Sequence, residues 1–218
     1  MGQSKRHWLN SVVNLMSASN TFSGKPPDDY REVLYWRISE RTGRILIMNL
    51  LAIPLALLFG IVFFNFVRLF GKSPETISFN SLQTVILLAG IALVFVFHEL
   101  SHGIAMQIFG AHPRYGVFWK GLMFYATAPG YAFPRNQYLV IILAPMVSLS
   151  ILACLGIRIQ ASTSNVWLWA VWAMVNGCGA IGDLWITAIM LRYPDYAYII
   201  DERDGIRVFL PESGEGLE

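Results

Sequence analysis

Four runs of this 218-residue chain are apolar and long enough to cross a bilayer, and they limit its fold more than any other feature: Ile45–Val67, Leu82–Gly110, Tyr138–Ile157 and Val166–Leu191. A spanning helix needs about 20 residues. In hydrocarbon every backbone N–H and C=O must be satisfied within the segment, which a helix does. Composition agrees, with 55% hydrophobic residues, a mean hydropathy of +0.50 and only 14% charged residues, against about 25% charged in a soluble domain. Pro54 and Pro145 fall inside spans, where neighbouring groups can take up the carbonyl a proline leaves free. The fold expected is an all-α integral membrane protein with four transmembrane helices.

Orientation follows from Lys and Arg. Thirteen lie before the first span, between the second and third, or after the fourth, whereas Arg68, Lys72 and Arg158 are alone on the other side. The positive-inside rule then puts both termini in the cytoplasm. Residues 1–44 form a cytoplasmic N-terminal segment with a turn at Gly24–Asp29, and are not expected to act as a secretory signal. Residues 45–191 form the four-helix transmembrane domain. Residues 192–218 form a C-terminal tail in which Asp204-Gly205 suggests a hairpin. Between the second and third spans, Tyr115–Pro134 is rich in strand formers and glycine and predicts a short membrane-associated β-hairpin, whose edge either accepts an extended substrate or simply lies buried. Trp167, Trp169 and Trp172 read as an interfacial belt. Cys154 and Cys178 lie in apolar runs and read as packing residues, and no basic stripe points to nucleic acid.

Charge inside the spans is sparse. The second span holds His98-Glu99-Leu100-Ser101-His102 after sixteen residues, Leu82–Phe97, with no ionisable side chain. In H-E-x-x-H on a helix, two imidazoles one turn apart can reach one zinc ion and the glutamate can act as general base on its water. A catalytic zinc takes three protein ligands. Glu99 and Asp183 are the only acids in the apolar spans, and none lies between them. Position 108, where an extended motif would place a third histidine, is Ile108, and His112 sits in a turn. His98 and Asp183 lie 16 and 17 residues into spans that run the same way, so roughly 24 and 26 Å deep at 1.5 Å per residue. Asp183 is therefore the expected third ligand. Asn176, two turns before Asp183, either hydrogen-bonds a substrate carbonyl or makes an interhelical contact, and it is the candidate substrate-binding residue. Gly103, Gly177, Gly179 and Gly182 predict close helix approach.

These residues resemble the site-2-protease-type intramembrane zinc metalloproteases, in their small bacterial branch of zincin peptidases. The resemblance covers about residues 82–191 and rests on His98-Glu99-Leu100-Ser101-His102-Gly103, on Asp183, and on Leu143-Ala144-Pro145, which is similar to the family's Ala-Gly-Pro element. The stretch from Asn176 to Asp183 is one residue shorter than the family's and lacks its proline. The resemblance implies Zn2+ bound by the two histidines and the aspartate, Glu99 as catalytic base, a multi-pass protein of the bacterial plasma membrane, and substrates that are transmembrane proteins or peptides cleaved in or near their spans. An accessory membrane protein controlling access is a further expected partner beside the bilayer. A divalent-metal transporter and a non-catalytic scaffold that binds membrane segments around a metal site are the competing readings. The apolar outer halves of the spans argue against the first, and the intact Glu99 against the second.

Overall fold

The computed structural model of the chain describes residues 24–40, 42–71, 80–118 and 123–212. Three helices, each long and apolar enough to span, form the frame: α1 (Thr42–Phe70), α2 (Ser81–Ile108) and α3 (Arg135–Ile159). The fourth apolar run is not one rod. It is divided into α4 (Trp167–Gly179) and α5 (Ile181–Met190), which bend by 43° at Ala180. Three glycines, Gly177, Gly179 and Gly182, surround the break, and glycine weakens a helix interior. The Ala180 N–H still bonds the Asn176 and Cys178 carbonyls, so the chain turns without stranding a buried donor.

The chain is not all-α. Strands β1 (Tyr30–Arg37), β4 (Ala132–Pro134), β5 (Tyr198–Glu202) and β6 (Gly205–Pro211) form an antiparallel sheet in the order β1-β6-β5-β4. The expected hairpin at Asp204-Gly205 joins β5 to β6. Its partner β1 comes from the N-terminal segment, more than 160 residues away, paired from Tyr30↔Pro211 to Arg37↔Gly205. Hydrophobic periodicity is a local signal and does not reveal such pairing. Gly205 is required here, because a Cβ would lie 1.9 Å from the Trp36 carbonyl oxygen. The β5–β6 turn also anchors the chain leaving β1: Asp204 accepts from Ser39 Oγ, pairs with Arg37 Nε at 3.4 Å, and offers its carbonyl to Ile38 N at 2.9 Å. The turn at Gly24–Asp29 is present, closed by Tyr30 N to Pro27 O at 3.0 Å. Strands β2 (Arg114–Phe118) and β3 (Met123–Thr127) make the separate hairpin expected between the second and third spans.

Helix packing uses large side chains set against glycines. Gly90 of α2 receives Trp172, whose Nε1 donates to the Leu87 carbonyl at 3.3 Å. Gly156 of α3 receives Trp169, and Gly177 of α4 receives Phe59 of α1. Trp169 and Trp172 are therefore interhelical knobs rather than an interfacial belt, and Trp167 is buried. Gly179 and Gly182 make no comparably close approach. Cys154 and Cys178 are free thiols. A second cluster of buried residues, with Phe133, Tyr138, Met190, Ile199, Ile206 and Val208, joins the sheet to α3 and α5. The sheet is thus tied to the helices that carry the site.

Candidate metal centre

α2 starts on a capping box, with Asn80 Oδ1 accepting from Gln83 N and Gln83 Oε1 from Asn80 N. Nearly five turns later it presents His98 and His102 on one face, ring centroids 5.2 Å apart. The bend at Ala180 places Asp183 in the first turn of α5, where the helix N-terminus favours a carboxylate. His98 Nε2 lies 3.1 Å from Asp183 Oδ2, and His102 Nε2 lies 3.4 Å from Oδ1. All three residues are buried, and their ligand atoms fall within 4.8 Å of one another. His112 is exposed and outside the cluster.

The other ring nitrogens show which atoms face the centre. His98 Nδ1 is 3.0 Å from Asn176 Oδ1, and Asn176 Nδ2 donates to the Pro145 carbonyl at 3.3 Å. His102 Nδ1 is 2.9 Å from the Ile141 carbonyl. That carbonyl is free because of Pro145. In a helix, Ile141 O would accept from the N–H four residues on, which proline lacks. Both partners of the imidazoles are carbonyl oxygens, which only accept, so each Nδ1 must carry the proton. Each neutral ring then turns a lone pair on Nε2 toward a carboxylate oxygen that has only lone pairs to offer. Such an arrangement holds together around a positive charge, either a metal ion at that point or a proton added on Nε2. The two N···O separations, 3.1 and 3.4 Å, bracket the roughly 3.3 Å ligand–ligand edge of a tetrahedron with bonds of about 2.0–2.1 Å. Histidine nitrogens with their second N–H fixed by a carbonyl, plus one carboxylate, are a donor set that suits zinc.

Glu99 follows His98 and lines the same cavity, which has a volume of about 520 Å3 and reaches from the histidines to the β5–β6 turn. The Ala126 backbone N–H is turned to the Glu99 carboxylate. Ala126 is paired with Tyr115 across the hairpin. Phe124, Tyr125 and Ala126 all line the cavity. Gly103 lets the hairpin come this close, because a Cβ there would lie 1.9 Å from the Tyr115 hydroxyl oxygen. Behind the cluster, buried Asp201 of β5 accepts from Tyr138 OH at 2.6 Å, and its carbonyl accepts from Thr127 Oγ1 at 3.0 Å. Burial pushes the Asp201 carboxyl up to about 6.

The structure thus brings together His98, Glu99, His102, Asn176 and Asp183 around one cavity. Sequence reasoning had the residues but missed the Ile141 carbonyl, for which Pro145 one turn later was the available signal. It also missed Asp201 and Trp36, which reach the cavity through a sheet that local pattern does not predict. Comparison with curated proteins and with solved structures gave no match. A family described as "Putative zincin peptidase" matches residues 91–198. That stretch is similar to the family over 108 of the chain's 218 residues and carries both histidines, Glu99, Asn176 and Asp183, and zinc is the metal its three ligands fit.

Proposed function

We propose that this protein is an intramembrane zinc endopeptidase of the site-2-protease type, which hydrolyses peptide bonds in or near transmembrane segments of other membrane proteins. The observation that carries the reading is the convergence of His98 Nε2, His102 Nε2 and the Asp183 carboxylate, from two apolar helices, on a cavity that Glu99 also lines. In this reading the termini are cytoplasmic and the centre lies toward the cytoplasmic face, as the Lys and Arg distribution supports.

A zinc held by His98, His102 and Asp183 would polarise the scissile carbonyl and make a water nucleophilic near neutral pH. Glu99 takes the proton of the attacking water and delivers it to the leaving amine. The Ala126 N–H, turned to the Glu99 carboxylate, would help to hold it in place. Asn176, read from sequence as a substrate contact, is assigned to orienting His98, because both ends of its amide are engaged by His98 and Pro145. Ile141 does the same for His102. A substrate helix hides its carbonyls and must unwind. The edge of β3 beside Glu99 offers it backbone partners as an added strand.

Purified Glu99→Gln should keep its zinc while cleavage of a transmembrane peptide falls at least about a hundredfold. Asp183→Ala should lose both zinc and cleavage. Cleavage by Glu99→Gln at the parent's rate would rule out the peptidase reading.

A further inference from the structure

Between Ile45 and Val67 the first span has two polar side chains, Asn49 and Asn65. They differ in one respect. Asn65 Nδ2 donates to the Ile61 carbonyl of its own helix at 2.7 Å and is satisfied locally. Asn49 is exposed, and its carboxamide makes no hydrogen bond among the described residues. It does not face outward at random. Ile45, Met48, Asn49 and Ala52 form one stripe at i, i+3, i+4 and i+7, and these four are the α1 residues that line the cavity of the metal centre. Asn49 is the polar member of that stripe, set in a wall shared with His98 and Glu99.

We propose that Asn49 is a substrate-binding residue whose carboxamide pairs with the main chain of the substrate segment unwound at Glu99, an inference that rests on the peptidase reading above. The chemistry selects this occupant. A carboxamide offers one acceptor and two donors, so it can meet the C=O and the N–H of a peptide group together. A peptide drawn out of its helix in an apolar setting has those two groups unpaired, and each is costly to leave so. Main-chain pairing is blind to side chains, so the contribution of Asn49 is the same for substrates of different sequence. The first span then acts as the wall that holds the unwound segment from the side of α1.

The test uses the full chain in detergent with synthetic peptides of one apolar span flanked by lysines. Asn49→Ala and Asn49→Leu should raise KM about fivefold, the effect of one neutral hydrogen bond, with kcat, zinc content and melting temperature unchanged. The factor should be equal for peptides that differ in side chains around the cleavage point. Independently of cleavage, benzoylphenylalanine at position 49 in Glu99→Gln protein should cross-link the peptide, while the same group at Leu51, about 200° round α1, should not. An unchanged KM in both variants overturns the inference. So does cross-linking at 49 no stronger than at 51, or cross-linking to a second copy of the chain instead of the peptide. Because the cross-link needs no turnover, capture at position 49 together with no cleavage by the parent protein, its Glu99 intact, would refute the peptidase reading and leave Asn49 as a segment-binding residue.

Discussion

Replacing Asn176 by leucine separates two roles that the sequence alone leaves level. Leucine keeps the branching of asparagine and is larger, and position 176 is 1% exposed, so the change removes polarity without opening a void. What it strands is the His98 Nδ1–H, now 3.0 Å from Asn176 Oδ1. A buried donor left unpaired costs about 1–3 kcal/mol. The metal-free protein has an escape: the ring can move its proton to Nε2, which faces Asp183 Oδ2 at 3.1 Å, and so regain a hydrogen bond. The zinc-bound state has none, because it needs the Nε2 lone pair. The penalty therefore falls on metal binding, and an outer partner of this kind typically changes affinity 10- to 100-fold, about 1.4–2.7 kcal/mol. Competition against a zinc-chelating dye should show that loss, and at saturating zinc KM should stay near the parent's. If zinc affinity stays within about threefold and KM rises instead, Asn176 contacts substrate and the orienting role is refuted.

Two further outcomes test the surroundings of the centre. Gly103→Ala gains up to about 1 kcal/mol of helix propensity but sets a methyl group 1.9 Å from the Tyr115 hydroxyl oxygen. The hairpin must shift and carry the Ala126 N–H away from Glu99, so cleavage should fall about tenfold or more with zinc retained. Full activity in this variant would show that the hairpin does not hold the base. Burial raises the Asp201 carboxyl from 3.8 to about 6, so the folded state holds its proton more tightly than the unfolded one. Its contribution is present below about pH 3.8 and is lost as pH rises through about 6, a loss of roughly 3 kcal/mol. Asp201→Asn should therefore melt higher than the parent at pH 7.5, and the gap should close toward pH 4. A gap independent of pH would mean that Asp201 does not titrate in this window.

The sequence by itself determined the parts that depend on local pattern and on the cost of charge in lipid. Apolar length marked the spanning helices, and the 3.6-residue period put His98 and His102 on one face. The scarcity of acids singled out Asp183, since a carboxylate in a span needs a partner. Turn chemistry at Asp204-Gly205 and the strand formers of 115–134 marked both hairpins. Only the tertiary structure decided the rest, because those features join residues with no shared local signal. The bend at Ala180 gives Asp183 a helix N-terminus. Pro145 is legible as a break in a hydrogen-bond ladder, but that its freed Ile141 carbonyl meets His102 depends on how α2 and α3 cross. The sheet that closes the cavity pairs residues 30–37 with 205–211, and Asn49 reaches the metal centre only because α1 packs along α4 beside it. Periodicity describes one element at a time, whereas a metal site with its oriented imidazoles is a property of several elements held at fixed distances.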